Sequence, residues 1–298
     1  MSFSVTWGRT FLAVFIFTSL LIVPPGAVAG ELHPETLKAW DEYIQAANAR
    51  TQDRLRNGSF LWVDESAERS RQVRAGKILV SPAVAEMPKP IPAGLIHDWM
   101  GATFIPQATM DDVLAVVRDY DNYKVVYKPS VADSKALGSA GEEDRFSMLL
   151  VNRHLAAKMA LATEYEVYYQ QLGNKRWYSA AQTTRVQEIR NYGRPDEQEL
   201  RPDEGSGYIW RLYSFSRFEE RDGGVYIEVE ALALSRDIPA AVRWLVNPIV
   251  RSVSKNSVLT SLRQTEEGVR SEATVQSRAP RERWQTIDSS SPAIALKR

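Results

Sequence analysis

Two stretches near the C-terminus decide the fold: Gly207–Glu219, with the sequence GYIWRLYSFSRFE, and Gly224–Arg236, with the sequence GVYIEVEALALSR. Both are rich in the β-branched and aromatic residues that are typical of strands. The turn residues Arg221-Asp222-Gly223-Gly224 between them predict a hairpin. Beyond Asp237-Ile238-Pro239 the apolar residues follow a helical spacing. This region therefore predicts an aromatic-rich sheet closed by a terminal helix, which is one way for a small domain to enclose a cavity.

The first 29 residues have the composition of a secretory signal peptide. Arg9 is the only charged residue before Glu31, and Phe11–Val23 is dominated by apolar residues. Ala27-Val28-Ala29 then supplies the small residues that a signal peptidase recognises. The apolar run is shorter than the ~20 residues that span a bilayer, and an uncleaved anchor is the alternative. We predict a periplasmic or secreted protein that is cleaved near Ala29.

The composition argues against several classes of protein. The sequence has no cysteine, so it has neither disulfides nor thiolate metal sites. Its 37 Lys and Arg balance 37 Asp and Glu, which gives no electrostatic basis for binding nucleic acid or an anionic membrane surface. Transient membrane contact and the oligomeric state are left open by the sequence.

The chain beyond the signal peptide divides into three parts. Residues 30–93 are predicted to form an N-terminal helix, Pro34–Arg56, and a connector that ends in the proline-rich segment Pro82–Pro92. The connector is predicted to contain two short strands, Phe60–Asp64 and Lys77–Ser81, on either side of a helical turn at Ala67–Arg74. Residues 94–270 are predicted to form the main domain, and residues 271–298 a disordered tail. Within the main domain, Trp99–Ile105 is a predicted strand, and Thr109 is a predicted helix cap. The later predicted strands are Ser130–Leu137, Asp144–Val151, Lys158–Gln170, Arg176–Arg190, Gly207–Glu219 and Val225–Arg236.

The terminal helix contains a proline that predicts a break. Pro248 would remove a backbone hydrogen bond within a helix, and Asn247 before it is a good N-cap. The pattern therefore predicts a short helix over Pro239–Val246 and a longer one over Pro248–Gly268. A break at this point suits a hinge or a lid, although close packing explains it equally well.

Alternation of side chains predicts which strand faces are covered. In Lys158–Gln170 and Val225–Arg236 the odd-numbered residues are mainly apolar, whereas the acid pairs Glu164/Glu166 and Glu228/Glu230 fall on the more polar, solvated face. Gly207–Glu219 has aromatic residues on both faces, so alternation cannot place Arg211 or Arg217. Each of these arginines has two alternatives: a salt bridge, or an inward orientation toward a ligand.

Three motifs resemble the START-like superfamily, which includes polyketide cyclases and birch-pollen-allergen proteins. They are Trp99-Met100-Gly101-Ala102-Thr103-Phe104-Ile105-Pro106, Asp119-Tyr120-Asp121-Asn122-Tyr123 and Ser235-Arg236-Asp237-Ile238-Pro239, followed by Trp244-Leu245-Val246-Asn247. The resemblance covers roughly residues 94–270. It implies an α+β helix-grip fold, in which a curved antiparallel sheet wraps around a long C-terminal helix. It also implies a tunnel for lipids, sterols, polyketides or other apolar molecules.

The sequence thus predicts an exported protein that carries or senses a lipid or another apolar small molecule. A cyclase- or hydrolase-type enzyme that uses the same cavity is one alternative, and an envelope interaction protein without a ligand is another. The three histidines lack metal-ligand spacing, no catalytic motif is present, and we expect no cofactor. The residues expected to line the cavity are Tyr127, Met159, Tyr165, Tyr169, Arg211, Tyr213, Arg217, Val229, Ala231, Ala233, Ile249 and Val253.

Overall fold

The computed structural model describes residues 30–152, 159–238 and 240–278, and its central element is a large antiparallel sheet. The predicted signal peptide and residues 279–298 lie outside the described residues. The strands are β1 (Gly30–Glu31), β2 (Leu79–Pro82), β3 (Lys89–Ile91), β4 (Gly94–Pro106), β5 (Val131–Ala140), β6 (Glu143–Asn152), β7 (Met159–Gln171), β8 (Arg176–Arg190), β9 (Gln198–Glu199), β10 (Glu204–Gly205), β11 (Arg211–Arg221) and β12 (Gly224–Arg236). The helices are α1 (Pro34–Asn57), α2 (Ala67–Arg74), α3 (Met110–Val117), α4 (Tyr123–Val126) and α5 (Ala240–Arg278), with 3-10 turns at Trp62–Glu65 and Tyr120–Asn122.

The order of strands across the large sheet is β2-β4-β12-β11-β8-β7-β6-β5, with β3 also paired to β4 and β9 to β8. Every pairing in it is antiparallel, and β1 and β10 form a separate two-stranded sheet. The predicted α+β class, with a long C-terminal helix packed on an antiparallel sheet and a further helix near the N-terminus, is confirmed.

Helices cover the sheet on two sides. The inner face packs against α3 and α5 through a core that includes Val113, Val258 and Leu262. The outer face packs against α1, where Trp40 and Tyr43 contribute to a second core. A third core, formed around α2 and the 3-10 turn before it, extends the cover of the outer face.

Coverage on both faces explains the composition of β4. All of its residues except Pro106 are buried, and a strand buried on both sides has a nearly continuous apolar sequence instead of an alternating one. Residues 30–93 supply the outer cover and also the strands β2 and β3, which pair with β4. The segment Pro82–Pro92, interpreted from the sequence as a connector, therefore includes part of the sheet.

The terminal helix α5 is continuous from Ala240 to Arg278, so the predicted break at Asn247-Pro248 is wrong. It also extends past residue 270, into the segment that the sequence predicted to be disordered. A proline inside a helix costs about 3 kcal/mol, and the packing of the later part of α5 on the sheet offsets such a cost.

Gly101 of β4 permits this close packing. A Cβ atom at this position would lie 2.7 Å from both Leu262 Cδ1 and Val258 Cγ1. The missing side chain allows α5 to approach the backbone of the sheet.

Candidate functional site

Small side chains lie at the centre of the inner face. Three successive rungs of the sheet cross β4, β12, β11 and, in two of them, β8. The paired residues, which we call the central patch, are His97–Ala233–Leu212, Trp99–Ala231–Ser214–Ala181 and Gly101–Val229–Ser216–Ser179.

Along β12, the residues of the central patch are less completely covered than their neighbours on the same face. On β12, Val225 and Ile227 are 0% and 2% exposed, whereas Val229, Ala231 and Ala233 on the same face are partly exposed. Part of the apolar surface that β12 contributes to the patch therefore remains accessible. Removing apolar surface from water is favourable by about 25 cal/mol per Å². Covering this surface with an apolar ligand would therefore be favourable.

Three serine hydroxyls interrupt the apolar surface of the central patch. Ser179 and Ser216 are direct cross-strand partners, and Ser214 lies two residues before Ser216 on β11. Ser179 is 5% exposed, while Ser214 and Ser216 are partly exposed. Within the described residues, none of these hydroxyls forms a hydrogen bond. They are available to a molecule that lies on the patch.

His97 adds a neutral polar group at the edge of the patch. Its Nε2 lies 2.9 Å from Ser235 Oγ, and its side chain is 6% exposed. Burial lowers the pKa of His97 to about 4, because the low-dielectric surroundings disfavour the imidazolium ion. The ring is therefore uncharged at neutral pH and can offer a hydrogen-bond donor or acceptor.

Tyrosines form a wall beside the patch. Tyr165 stacks on Phe146 with ring centroids 4.7 Å apart, and the hydroxyl of Tyr169 donates to the carbonyl oxygen of Val117 at 3.1 Å. The hydroxyl of Tyr127 lies 3.0 Å from Thr265 Oγ1 on α5. These contacts hold Tyr127 and Tyr169 to the helices, so both contribute shape more than free hydroxyl groups.

The structure places only some of the predicted cavity residues on the inner face of the sheet. Val229, Ala231 and Tyr165 lie on the inner face as expected, and the same strand faces carry Ala233 and Tyr169. Val253 is a half-buried residue of α5. The side chains of Met159 and Ile249 lie outside the described part of the structure.

Arg211, Tyr213 and Arg217 are corrections to the sequence interpretation. They share one face of β11 with Phe215, which packs in the outer core under α1, so none of them lines the space between the sheet and α5. Arg211 pairs with Asp203 instead. With Tyr213 it also borders a cleft of about 300 Å³ between α1 and the sheet. Sequence alternation could not tell which face of β11 points toward α5, because aromatic residues lie on both faces of this strand.

Arg217 belongs to a buried ionic cluster on the outer face. Its side chain is 0% exposed, and its Nε donates to Glu228 Oε1 at 2.9 Å. Its Nη2 lies 3.8 Å from Glu230 Oε2. Glu228 also accepts a hydrogen bond from the backbone N–H of Trp62 at 2.6 Å.

Helix α1 closes this cluster. The hydroxyl of Tyr43 donates to Asp98 Oδ2 at 2.8 Å. Arg50 Nη2 lies 3.5 Å from that oxygen and 3.6 Å from Glu230 Oε1. We use the name ionic cluster for Asp98, Arg217, Glu228 and Glu230, with Tyr43 and Arg50 of α1.

The ionic cluster overturns the prediction that Glu228 and Glu230 lie on a solvated face. They are 1% and 6% exposed, because α1 and the 3-10 turn at Trp62–Glu65 cover them. Burial raises the pKa of Glu228, and Arg217 acts in the opposite direction. Burial, together with repulsion from Glu230, raises the pKa of Asp98 to about 7.

Replacing Asp98 with asparagine should give a variant whose stability relative to the wild type increases with pH. The folded state holds the proton of Asp98 more tightly than the unfolded state does. Proton binding by Asp98 therefore stabilises the folded wild type. This stabilisation is fully present below the unfolded pKa of 3.8 and is lost as the pH rises to about 7. The measurement is urea-induced unfolding of both proteins at several pH values across this window.

Asp133→Asn is the matched control. Asp133 is exposed, and a hydrogen bond from Lys124 lowers its pKa. The stability of Asp133→Asn relative to the wild type should change little with pH, and it should decrease as the pH rises. If the free energies of unfolding of Asp98→Asn and the wild type differed by the same amount at every pH in this window, a raised pKa for Asp98 would be contradicted.

The described residues contain neither a metal-ligand cluster nor a helix that could span a membrane. No group of three or more His, Asp and Glu side chains there is arranged to hold a metal ion. None of the helices in the described ranges is long and apolar enough to cross a membrane.

Sequence reasoning missed the serines and His97. His97 was placed before the first strand of the main domain, whereas β4 begins at Gly94. Ser214 and Ser216 share a strand face with Leu212 and Phe218, so their role becomes visible only when that face is assigned to the inside. The signal that could have found them is the cluster of small residues at even positions of β11 opposite Ala231.

No protein-family model matches the sequence, and no curated protein sequence matches it. Solved structures do resemble its fold. A fragment of the STAR-related lipid transfer protein from Xanthomonas axonopodis is 19% identical, with a TM-score of 0.42, over 64% of this chain and 98% of that one. Human STARD10 is 9% identical, with a TM-score of 0.40, over 76% and 87%.

The Zhui aromatase/cyclase from Streptomyces sp. R1128 is 10% identical, with a TM-score of 0.38, over 62% of this chain and 97% of that one. These proteins belong to the START-like group that the sequence motifs resemble. At such low identities and TM-scores the likeness carries no information about ligand or activity.

Proposed function

We propose that this protein is an exported carrier or sensor that binds a lipid or another apolar small molecule between the inner face of the sheet and α5. One observation carries the proposal: Val229, Ala231 and Ala233 remain partly exposed on the inner face of β12, whereas Val225 and Ile227 on the same face are buried. A ligand on the central patch would remove this apolar surface from water. Small side chains at the centre of a sheet also provide the concave shape that ligand sites have.

Native mass spectrometry of the full-length protein, expressed with residues 1–298 and purified without detergent, tests binding and export together. The expected spectrum contains a chain that begins near residue 30 and a bound molecule that organic solvent extracts. A chain that keeps residues 1–29 would contradict cleavage. A protein that is empty and binds no apolar dye would contradict the ligand proposal, and would favour the interaction protein instead.

Replacing Ala231 with phenylalanine should weaken binding of Nile red, an uncharged apolar dye, at least about tenfold. Ala231 lies at the middle of the central patch, opposite Ser214 and Trp99, and a benzyl group there would occupy the ligand's space. The measurement is a fluorescence titration of the purified, detergent-free protein. Tenfold corresponds to about 1.4 kcal/mol.

Ala136→Phe is the matched control, because Ala136 lies on β5 with its side chain exposed. This variant should bind the dye as the wild type does. Equal affinity for both variants would place the dye elsewhere, and the cleft beside Arg211 would then be the next candidate. Circular dichroism should show that both variants keep the fold.

A further inference from the structure

We infer that the ligand carries an uncharged hydrogen-bonding group, such as a hydroxyl or a carbonyl, which Ser179, Ser214 and Ser216 recognise at the centre of the sheet. This inference rests on the proposed function and adds the chemical class of the ligand. It depends on where the three hydroxyls lie, on their lack of partners within the described residues and on the absence of charged residues from the central patch.

The three hydroxyls lie close together. Ser179 and Ser216 are cross-strand partners, and such side chains have Cβ atoms about 4.5–5.5 Å apart. Ser214 lies two residues from Ser216 on the same face, which places it about 7 Å away. Together they form one polar spot on an apolar surface, of a size that suits one polar group or the two oxygens of a small ring system.

Ser179 offers its hydroxyl to a ligand from a mostly buried position. Its side chain is 5% exposed, so the residue is more than nine-tenths buried, and its hydroxyl has no hydrogen-bond partner within the described ranges. The Ser179 hydroxyl keeps some contact with solvent, since the fully buried side-chain atoms that lack a partner in the described ranges are those of other residues. A polar group of the ligand would supply the missing partner.

The surroundings favour a ligand group without charge. The central patch contains no Lys, Arg, Asp or Glu residue, and its histidine is neutral because burial lowers the pKa of His97 to about 4. Nothing in the patch offsets the desolvation of a carboxylate or a phosphate, which costs several kcal/mol. The charged residues of β4, β11 and β12 nearest to the patch, Asp98, Arg217 and Glu230, lie on the outer face.

Three aromatic probes of the same skeleton test the inference: naphthalene, 2-naphthol and 2-naphthoate. The full-length protein should bind 2-naphthol roughly tenfold more tightly than naphthalene, as one or two good hydrogen bonds predict, and it should bind 2-naphthoate most weakly. Fluorescence titration measures all three affinities.

The triple variant Ser179→Ala/Ser214→Ala/Ser216→Ala should bind naphthalene as the wild type does and lose the preference for 2-naphthol. The control Ser147→Ala makes the same change on β6, opposite Glu164. Ser147 lies between Phe146 and Met148, whose side chains face inward, so it points to the other face. This control should keep the preference. Where the triple variant is unstable, the single variants Ser214→Ala and Ser216→Ala should each lose part of the preference.

The outcomes separate the two proposals. Equal binding of naphthalene and 2-naphthol by the wild type, or tightest binding of 2-naphthoate, would overturn the inference and leave an apolar-ligand site in place. Preference for 2-naphthol that survives in the triple variant would overturn the role of the serines. Failure of all three probes to bind would count against the proposed function and the inference together.

Discussion

Replacing Arg217 with methionine should lower the free energy of unfolding by about 3–5 kcal/mol, the cost of leaving a buried carboxylate without its partner. The guanidinium is 0% exposed and holds Glu228 at 2.9 Å. Methionine replaces the aliphatic part of the arginine side chain, so most of the effect comes from the lost guanidinium. Urea-induced unfolding measures the change, which should shrink at acidic pH as protonation neutralises Glu228.

Two variants control this prediction. Arg185→Met removes an exposed arginine paired with Glu164, and it should cost less than about 1 kcal/mol. The double variant Arg217→Met/Glu228→Gln removes both charges of the buried pair and should recover more than half of the loss. A single-variant cost no larger than that of Arg185→Met would mean that water reaches the ionic cluster.

Replacing Phe146 with alanine should also destabilise the protein by about 3–5 kcal/mol, the range for a buried phenylalanine. Phe146 is 5% exposed. Its ring stacks between Tyr120 and Tyr165, with centroid distances of 4.4 and 4.7 Å. The variant loses the buried ring and leaves a cavity between two tyrosines. Thermal and urea unfolding measure the loss.

Tyr168→Ala is the matched control, because Tyr168 lies on neighbouring β7 and is 40% exposed. It should cost less than about 1 kcal/mol. Where Phe146→Ala does not fold, Phe146→Leu should show a smaller loss in the same direction. A cost near that of Tyr168→Ala would mean that the stack borders open space, and the ligand site would then extend between the tyrosines.

Local patterns predicted many of the elements. The residues Arg176–Arg190 and Ala67–Arg74 form a strand and a helix as expected. Thr109 caps α3 in a capping box with Asp112. Each of these signals lies within a few neighbouring residues, so the sequence contains it directly.

The errors have a common physical cause, which is contact between distant residues. Glu228 and Glu230 looked solvated because their cover comes from α1 and the 3-10 turn after it; Trp62 of that turn lies 166 positions before Glu228. The strand β3 forms within a proline-rich segment because β4 offers it an edge. Phe60–Asp64 was predicted to be a strand, yet it includes the start of a 3-10 turn whose backbone N–H binds Glu228.

The sequence predicted the contribution of two strands to the candidate site, but not that of β11. Alternation identified the inner face of β12 and β7, and with it Ala231 and Tyr165. It could not assign β11, because aromatic residues occupy both of its faces. The residue that settles the assignment is Arg217, whose partner Glu228 lies directly across on β12.

The alternation of the ionic cluster with the central patch has a consequence for misfolding. Asp98 stands between His97 and Trp99, Arg217 follows Ser216, and Glu230 precedes Ala231. A shift of one residue in strand pairing would turn each side chain to the opposite face. Such a shift would drive these charges into the apolar layer beneath α5.

Two apolar faces alone would discriminate poorly between neighbouring alignments of such a sheet. The buried charges penalise each incorrect alignment by several kcal/mol per unpaired ion, whereas in the native alignment their net contribution to stability is small. Their main effect is on states that the protein never populates: they make the competing sheets too costly to form.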